Sequence, residues 1–144
     1  MKRMSADLHN GKIYLEPEGR TKDWLWVFIG ELTTIEDSVS DEELGNTVLA
    51  ILAESRYNVP QPESMEGPGR AAQAAGFKSF LPYGREAKSV GITEDENGIE
   101  FLPSRRWITR DKGGDLLEDK AICISSRQPE AVGKALRNAF DLCE

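Results

Sequence analysis

This sequence of 144 residues holds one histidine, two cysteines and no long apolar run, and each scarcity removes a class of function. Without a second imidazole there is no conventional zinc centre, and Cys123 and Cys143 lack both metal-ligand spacing and a disulfide framework. They are read as reduced packing thiols. The longest apolar stretch, Trp24 to Ile29, falls far short of the roughly 20 residues that span a bilayer, and Met1 to Met4 leads into no apolar signal core. A cytoplasmic protein with no cofactor and no membrane partner is expected. Positive charge is also scarce: 18 basic against 25 acidic residues leave a net charge of -7. That argues against direct nucleic-acid binding, because phosphate recognition depends on Lys and Arg displacing counterions. From Asp23 to Ser55 there are eight acids and no base, so the expected partner is basic.

Catalytic signatures are missing as well. His9 sits in a polar N-terminal segment beside Asn10-Gly11, where order and burial are not expected, and no Ser or Cys occupies a nucleophile elbow. Gly67-Pro68-Gly69 and Gly113-Gly114 match no phosphate-cradling pattern and read as turns. No carboxylate lies in an apolar stretch that would raise its pKa, so the acids read as solvated. Arg105, Arg106, Trp107, Arg110 and Lys112 form one basic patch, but Asp111, Asp115, Glu118 and Asp119 follow closely. Surface ion pairs are the simpler reading than a single-strand stacking platform.

What is present fits one α+β domain over residues 1–144, large enough to bury about two thirds of its unfolded surface. Lys12 to Glu16 reads as a short edge strand, and Trp24 to Ile29, apolar throughout, as a strand at the centre of the sheet with Trp24 and Trp26 on one core-facing side. Thr33 to Val39 is a further extended piece or a loop. Ser40 caps a helix over Asp41 to Ser55, with Glu43 in capping-box position. Prolines and glycines mark a surface loop at about residues 57–69, a short helix follows over Pro68 to Ala75, and Gly76 stops it. From Phe77 the pattern reads as extended. Ala87 to Thr93 and Ile99 to Pro103 flank Asn97-Gly98 as a hairpin, Lys120 to Ser125 as an internal strand, and Pro129 opens a final helix. The sheet is expected to be mixed, with the hairpin central and the helices packed on it.

The two longer helices share a frame. Glu42, Leu44, Gly45, Val48, Ile51 and Leu52 recur 88 residues later as Glu130, Val132, Gly133, Leu136, Ala139 and Phe140. Only the Glu and Gly pairs are identical, and any amphipathic helix repeats its apolar residues at this spacing, so the frame speaks for architecture before ancestry.

The middle and end of the chain resemble the immunity proteins of bacterial contact-dependent growth inhibition systems (CdiI type). The resemblance runs through Leu52-Ala53-Glu54-Ser55-Arg56, the loop at Pro60 and Pro62, Ala74-Ala75-Gly76-Phe77-Lys78-Ser79-Phe80 and Gly84-Arg85-Glu86-Ala87-Lys88-Ser89-Val90. It continues at Pro103, Arg105 and Arg106, and closes on Pro129-Glu130-Ala131-Val132-Gly133-Lys134-Ala135-Leu136. It covers about two thirds of the sequence and carries no active site. It implies a non-enzymatic cytoplasmic protein that neutralises the C-terminal toxin domain of a cognate CdiA-type effector, often a nuclease, through contacts that vary between family members. An acidic inhibitor can mimic phosphate on such a basic toxin, so Glu36, Asp37, Asp41, Glu42 and Glu43 are the candidate contact residues, with Tyr57 or Tyr83 as an aromatic anchor. A self-associating adaptor, homodimeric on its own, and a small hydrolase with paired carboxylates are the alternatives.

Overall fold

The computed structural model describes residues 1–62 and 67–144, so positions 63–66 of the expected 57–69 loop lie outside the described residues. One sheet draws strands from both ends of the chain. β1 (Lys2–His9) and β2 (Lys12–Thr21) form a hairpin through Asn10 and Gly11, at φ 48° and 78°, the positive values a two-residue hairpin turn requires. β3 (Trp26–Phe28) and β4 (Thr33–Glu36) pair antiparallel with opposite ends of β2, and β5 (Tyr57–Val59) pairs parallel with its last residues. A second hairpin, β6 (Lys88–Asp95) and β7 (Gly98–Pro103), lies against β1, and β8 (Ile122–Ile124) lies against β7. The mixed, mainly antiparallel sheet runs β3-β2-β1-β6-β7-β8, with the expected hairpin in its interior.

Alternation along the four hairpin strands separates the faces. Met4, Ala6, Ile13, Leu15, Val90, Ile92, Ile99 and Phe101 are buried on one side, beneath α1 (Asp41–Glu54) and α4 (Pro129–Leu142). Each large aliphatic or Phe side chain so buried contributes about 1.5 to 3 kcal/mol, which makes this layer the main source of stability. α2 (Arg70–Ala74) and α3 (Phe80–Glu86) roof part of the opposite face, where Ala71, Ala72, Tyr83 and Ala87 pack on Tyr14.

Hairpin, short strand, helix occurs twice, as β1-β2-β4-α1 and as β6-β7-β8-α4. Ile13 faces Ile35 across β2 and β4, as Ile99 faces Ile124 across β7 and β8. In the helices every apolar position of the 88-residue frame is buried. The shared glycines mark where the helices cross: a Cβ on Gly45 would stand 1.7 Å from the Pro129 carbonyl oxygen, and one on Gly133 would stand 1.9 Å from that of Asp41. Each glycine thus admits the first turn of the other helix, and the crossing is reciprocal.

The structure corrects several sequence readings. The N-terminal segment is the central strand β1, its short alternation of Met4 and Ala6 masked in the sequence by Ser5 between them and the charged Arg3 and Asp7 on either side. β2 is no short edge strand but the hub of the sheet. It continues through Pro17 because its outer edge there passes from β4 to β3, where a missing N–H breaks no ladder bond. Trp24 to Ile29 is not central: only Trp26–Phe28 is strand, at the end of the sheet, and Trp24, Leu25 and Phe28 are exposed. Phe80–Glu86 is helical rather than extended, with Pro82 accommodated in the first turn. β8 is an edge strand, and Cys123 on it is exposed, whereas Cys143 is buried and its thiol pKa is pushed up by that burial. The Ser40 cap, both long helices, Gly76 at φ 92° and Pro129 at the start of α4 stand as expected.

Candidate interaction surfaces

The five candidate acids lie together where β4 runs into α1, and the fold divides them. Arg137, on α4, reaches across with Nε 2.7 Å from Asp41 Oδ1 and Nη1 2.9 Å from Asp37 Oδ1, and it donates also to the Asp37 and Val39 carbonyl oxygens. Asp37 and Asp41 therefore clamp the β4–α1 loop to α4. Glu36, Glu42 and Glu43 remain exposed, and among the described residues none has a basic group within 4.0 Å. Ser40 Oγ accepts the Glu43 N–H at 3.1 Å, and the acids of this first turn also meet the positive end of the α1 dipole. Nothing in the repeat frame announced Arg137, whose counterpart in the first copy is Leu49.

Of the two candidate aromatic anchors, Tyr57 is exposed and Tyr83 is 2% exposed. Tyr83 belongs to the polar face of the sheet, where its hydroxyl donates to Asp7 Oδ2 at 2.6 Å while Ser89 Oγ donates to Oδ1 at 2.7 Å. His9, packed edge-on to Phe77 and 3.5 Å from a Glu86 oxygen, closes the same corner. Contrary to the reading of solvated acids, three carboxyls on this face are desolvated. Burial pushes Asp7, Glu16 and Glu18 above the ordinary carboxylate range, opposed at Asp7 by its two hydroxyl donors, at Glu16 by Arg70 and at Glu18 by Arg3. The cross-strand register makes this possible: it sets Asp7 opposite Ser89 and Arg3 opposite Glu18. Those pairings join residues far apart in sequence, which is why no local pattern showed them.

Beside the α3 roof the polar face stays open as a groove of about 220 Å³. Ser5 and Gly91 lie on its floor, Phe28, Phe80, Trp107 and Leu116 line it, and Arg105 and Arg106 border it. Trp107 owes its position to two glycines, since a Cβ on Gly84 or Gly114 would come within 2.8 or 2.3 Å of its ring. Arg105 is held by Asp115 at 3.0 Å, as the charge pattern of this loop predicts, and by Glu144 at 3.1 Å, which that pattern did not include. Of the three desolvated carboxyls only Glu18 lines the groove, and it lies 3.4 Å from Arg3. Among the described residues the groove brings together no second carboxylate beside Glu18.

Among the described residues no helix is long and apolar enough to cross a membrane, and no group of three or more His, Cys, Asp or Glu could hold a metal ion. No curated protein matches the sequence. Two solved structures share the fold over 99% of this chain: a Neisseria meningitidis protein of unknown function, at TM-score 0.78, 17% identity and 95% coverage of that chain, and a CdiA-CT/CdiI toxin and immunity complex from Yersinia pseudotuberculosis, at TM-score 0.74, 18% identity and 97% coverage. At such identities the likeness speaks for the fold alone. The sequence itself matches the model of the CDI immunity protein family over residues 29–143. That match takes in both long helices, the second hairpin and the Trp107 loop, and by it the chain belongs to the CDI immunity protein family.

Proposed function

We propose that this protein is a non-enzymatic, cytoplasmic inhibitor that binds the C-terminal toxin domain of a cognate contact-dependent growth inhibition effector, and that the toxin is a nuclease with a basic substrate-binding surface. The observation that carries the reading is the family match over residues 29–143. Two features accord with it. The net charge of -7 suits a partner that grips nucleic acid, and Glu36, Glu42 and Glu43 offer exposed carboxylates at one edge, with no basic partner among the described residues. Asp37 and Asp41 contribute to the same field while serving the fold through Arg137. Opposite fields of this kind speed encounter and set register more than they add affinity.

The test is direct: the toxin domain encoded beside this protein should co-purify with it and lose its nuclease activity at one-to-one stoichiometry. A toxin that neither binds nor is inhibited would sink the reading. The triple reversal E36K/E42K/E43K should slow association by about tenfold at low salt and flatten its salt dependence, because the acids act mainly on the encounter rate. Unchanged association kinetics would remove this edge from the interface.

A further inference from the structure

The first 56 residues contain six bases, and folding gathers five of them, Lys2, Arg3, Arg20, Lys22 and Arg56, at the corner where the ends of β2, β3 and β5 meet the start of β1. Three aromatic rings interleave with them. The Arg20 guanidinium lies 4.5 Å from the Trp24 ring centroid and 5.4 Å from that of Trp26; Arg3 lies 5.6 Å from Trp26, and Tyr57 packs 6.3 Å from Trp26. Arg3 is paired with Glu18, but among the described residues Lys2, Arg20 and Lys22 have no carboxylate within 4.0 Å. Glu18, Asp23, Glu54 and Glu94 border the same corner and Lys2 donates to the Ala53 and Ser55 carbonyl oxygens, so the cations it leaves to a partner are Arg20 and Lys22.

Trp24 is its most telling member. It is 69% exposed and holds φ at 65°, a conformation bulky L residues rarely adopt. The turn fixes it there: its N–H donates to Thr21 O at 3.0 Å, Leu25 N–H donates to Thr21 Oγ1 at 3.2 Å, and Thr21 N–H returns to Leu25 O at 2.9 Å. A strained backbone that presents a large apolar ring to water does nothing for the core, and preorganised strain of this kind collects at binding sites. Trp, Tyr and Arg are also the residues that dominate the energetics of protein interfaces. Arg3, Arg20, Trp24 and Trp26 lie outside the family match at 29–143, whereas Arg56 and Tyr57 of the same corner lie within it.

We infer that this corner is a second docking surface for the toxin, and that the partner surface it meets is an apolar socket for Trp24 rimmed by carboxylates that pair with Arg20 and Lys22. The inference rests on the toxin-binding function proposed above. It places contacts of opposite charge at two separate sites on the inhibitor, the acidic edge at the start of α1 and this basic corner, which together fix one orientation of the toxin.

The experiment is affinity measurement by calorimetry between the full chain and the cognate toxin domain, for wild type, Trp24→Ala, Trp24→Phe and the double reversal R20E/K22E, each checked for an unchanged melting temperature. Trp24→Ala should weaken binding roughly 30-fold or more and R20E/K22E at least about 10-fold, while Trp24→Phe, which keeps an aromatic ring for the socket, should stay within about fivefold of wild type. Wild-type binding that all three variants retain within about twofold overturns the corner while leaving the toxin-binding function intact. No binding by wild type fails the function itself. Loss with Trp24→Ala but not with R20E/K22E overturns the acidic rim, and binding of a single-stranded oligonucleotide that Trp24→Ala abolishes overturns the protein partner in favour of nucleic acid.

Discussion

Replacing Gly133 by alanine tests the helix crossing on which the fold is built. The added Cβ would stand 1.9 Å from the Asp41 carbonyl oxygen, and ordinary contact begins at 3.4 Å, so α1 and α4 must part by roughly 1.5 Å because neither backbone can yield locally. Such a displacement opens gaps beside Leu44, Val48, Val132 and Leu136, all completely buried. A gap of only 0.5 to 1 Å already forfeits about a quarter to a half of the dispersion energy across it, and overpacking strain adds about 1 to 3 kcal/mol. Against this, alanine is a better helix former than glycine by about 1 kcal/mol. The net destabilisation should be about 2 to 3 kcal/mol, or ~6 to 9 °C in Tm for a chain of this size. Gly45→Ala, with its Cβ 1.7 Å from the Pro129 oxygen, should behave alike. The double variant should cost clearly less than the sum, because helices already parted by one methyl accommodate the second more cheaply. Thermal and urea unfolding followed by far-UV circular dichroism reads all three. A Gly133→Ala protein as stable as wild type, or more so, would refute the reasoning, since helix propensity would then outweigh a contact that was never tight.

The opposite outcome is expected at Gly91, where an added Cβ meets nothing within 4 Å; Gly91→Ala should stabilise by about 0.5 to 1 kcal/mol by restricting the unfolded chain, and a loss in urea unfolding would contradict the open groove floor. Arg137→Ala should cost about 1 kcal/mol, since water can solvate the half-exposed Asp37 and Asp41 carboxylates but the tie from α4 to the β4–α1 loop is lost, and Arg137→Lys should recover only part of that because an ammonium cannot fork between them. Asp7 governs a pH dependence. Because burial raises its native pKa, the unfolded chain releases this proton first as pH rises, so the Asp7 contribution is fullest below about pH 4 and declines as pH climbs toward the raised native value. Asp7→Asn keeps an acceptor for a neighbouring hydroxyl without the charge and should flatten that decline; an unaltered pH slope of stability in urea titrations would refute it.

Local chemistry made half of this fold legible. Ser40 and Pro129 announce helix starts, Asn97-Gly98 announces a hairpin and Gly76 a helix stop, because each acts on the backbone within a few residues of itself. The apolar spacing of α1 and α4 fixed their buried faces, and the shared Gly45 and Gly133 proved to be the two points at which those faces touch. The run of acids around the start of α1 was equally visible, as was its position at a helix N-terminus. What the sequence could not reveal is which groups meet across the sheet. Arg137 reaching Asp37 and Asp41, and Asp7 enclosed by Tyr83 and Ser89, depend on pairings that bridge the two halves, whereas Trp24 stands out of the fold beside Arg20 on a local turn whose exposure the apolar run concealed. A buried strand and an exposed aromatic turn share the same run of apolar letters, and only the register of β2 with its neighbours distinguishes them. Local propensity and period thus determined the elements, whereas burial, charge pairing and the surfaces left for a partner were decided by tertiary contact, because those energies belong to pairs of residues and not to any one position.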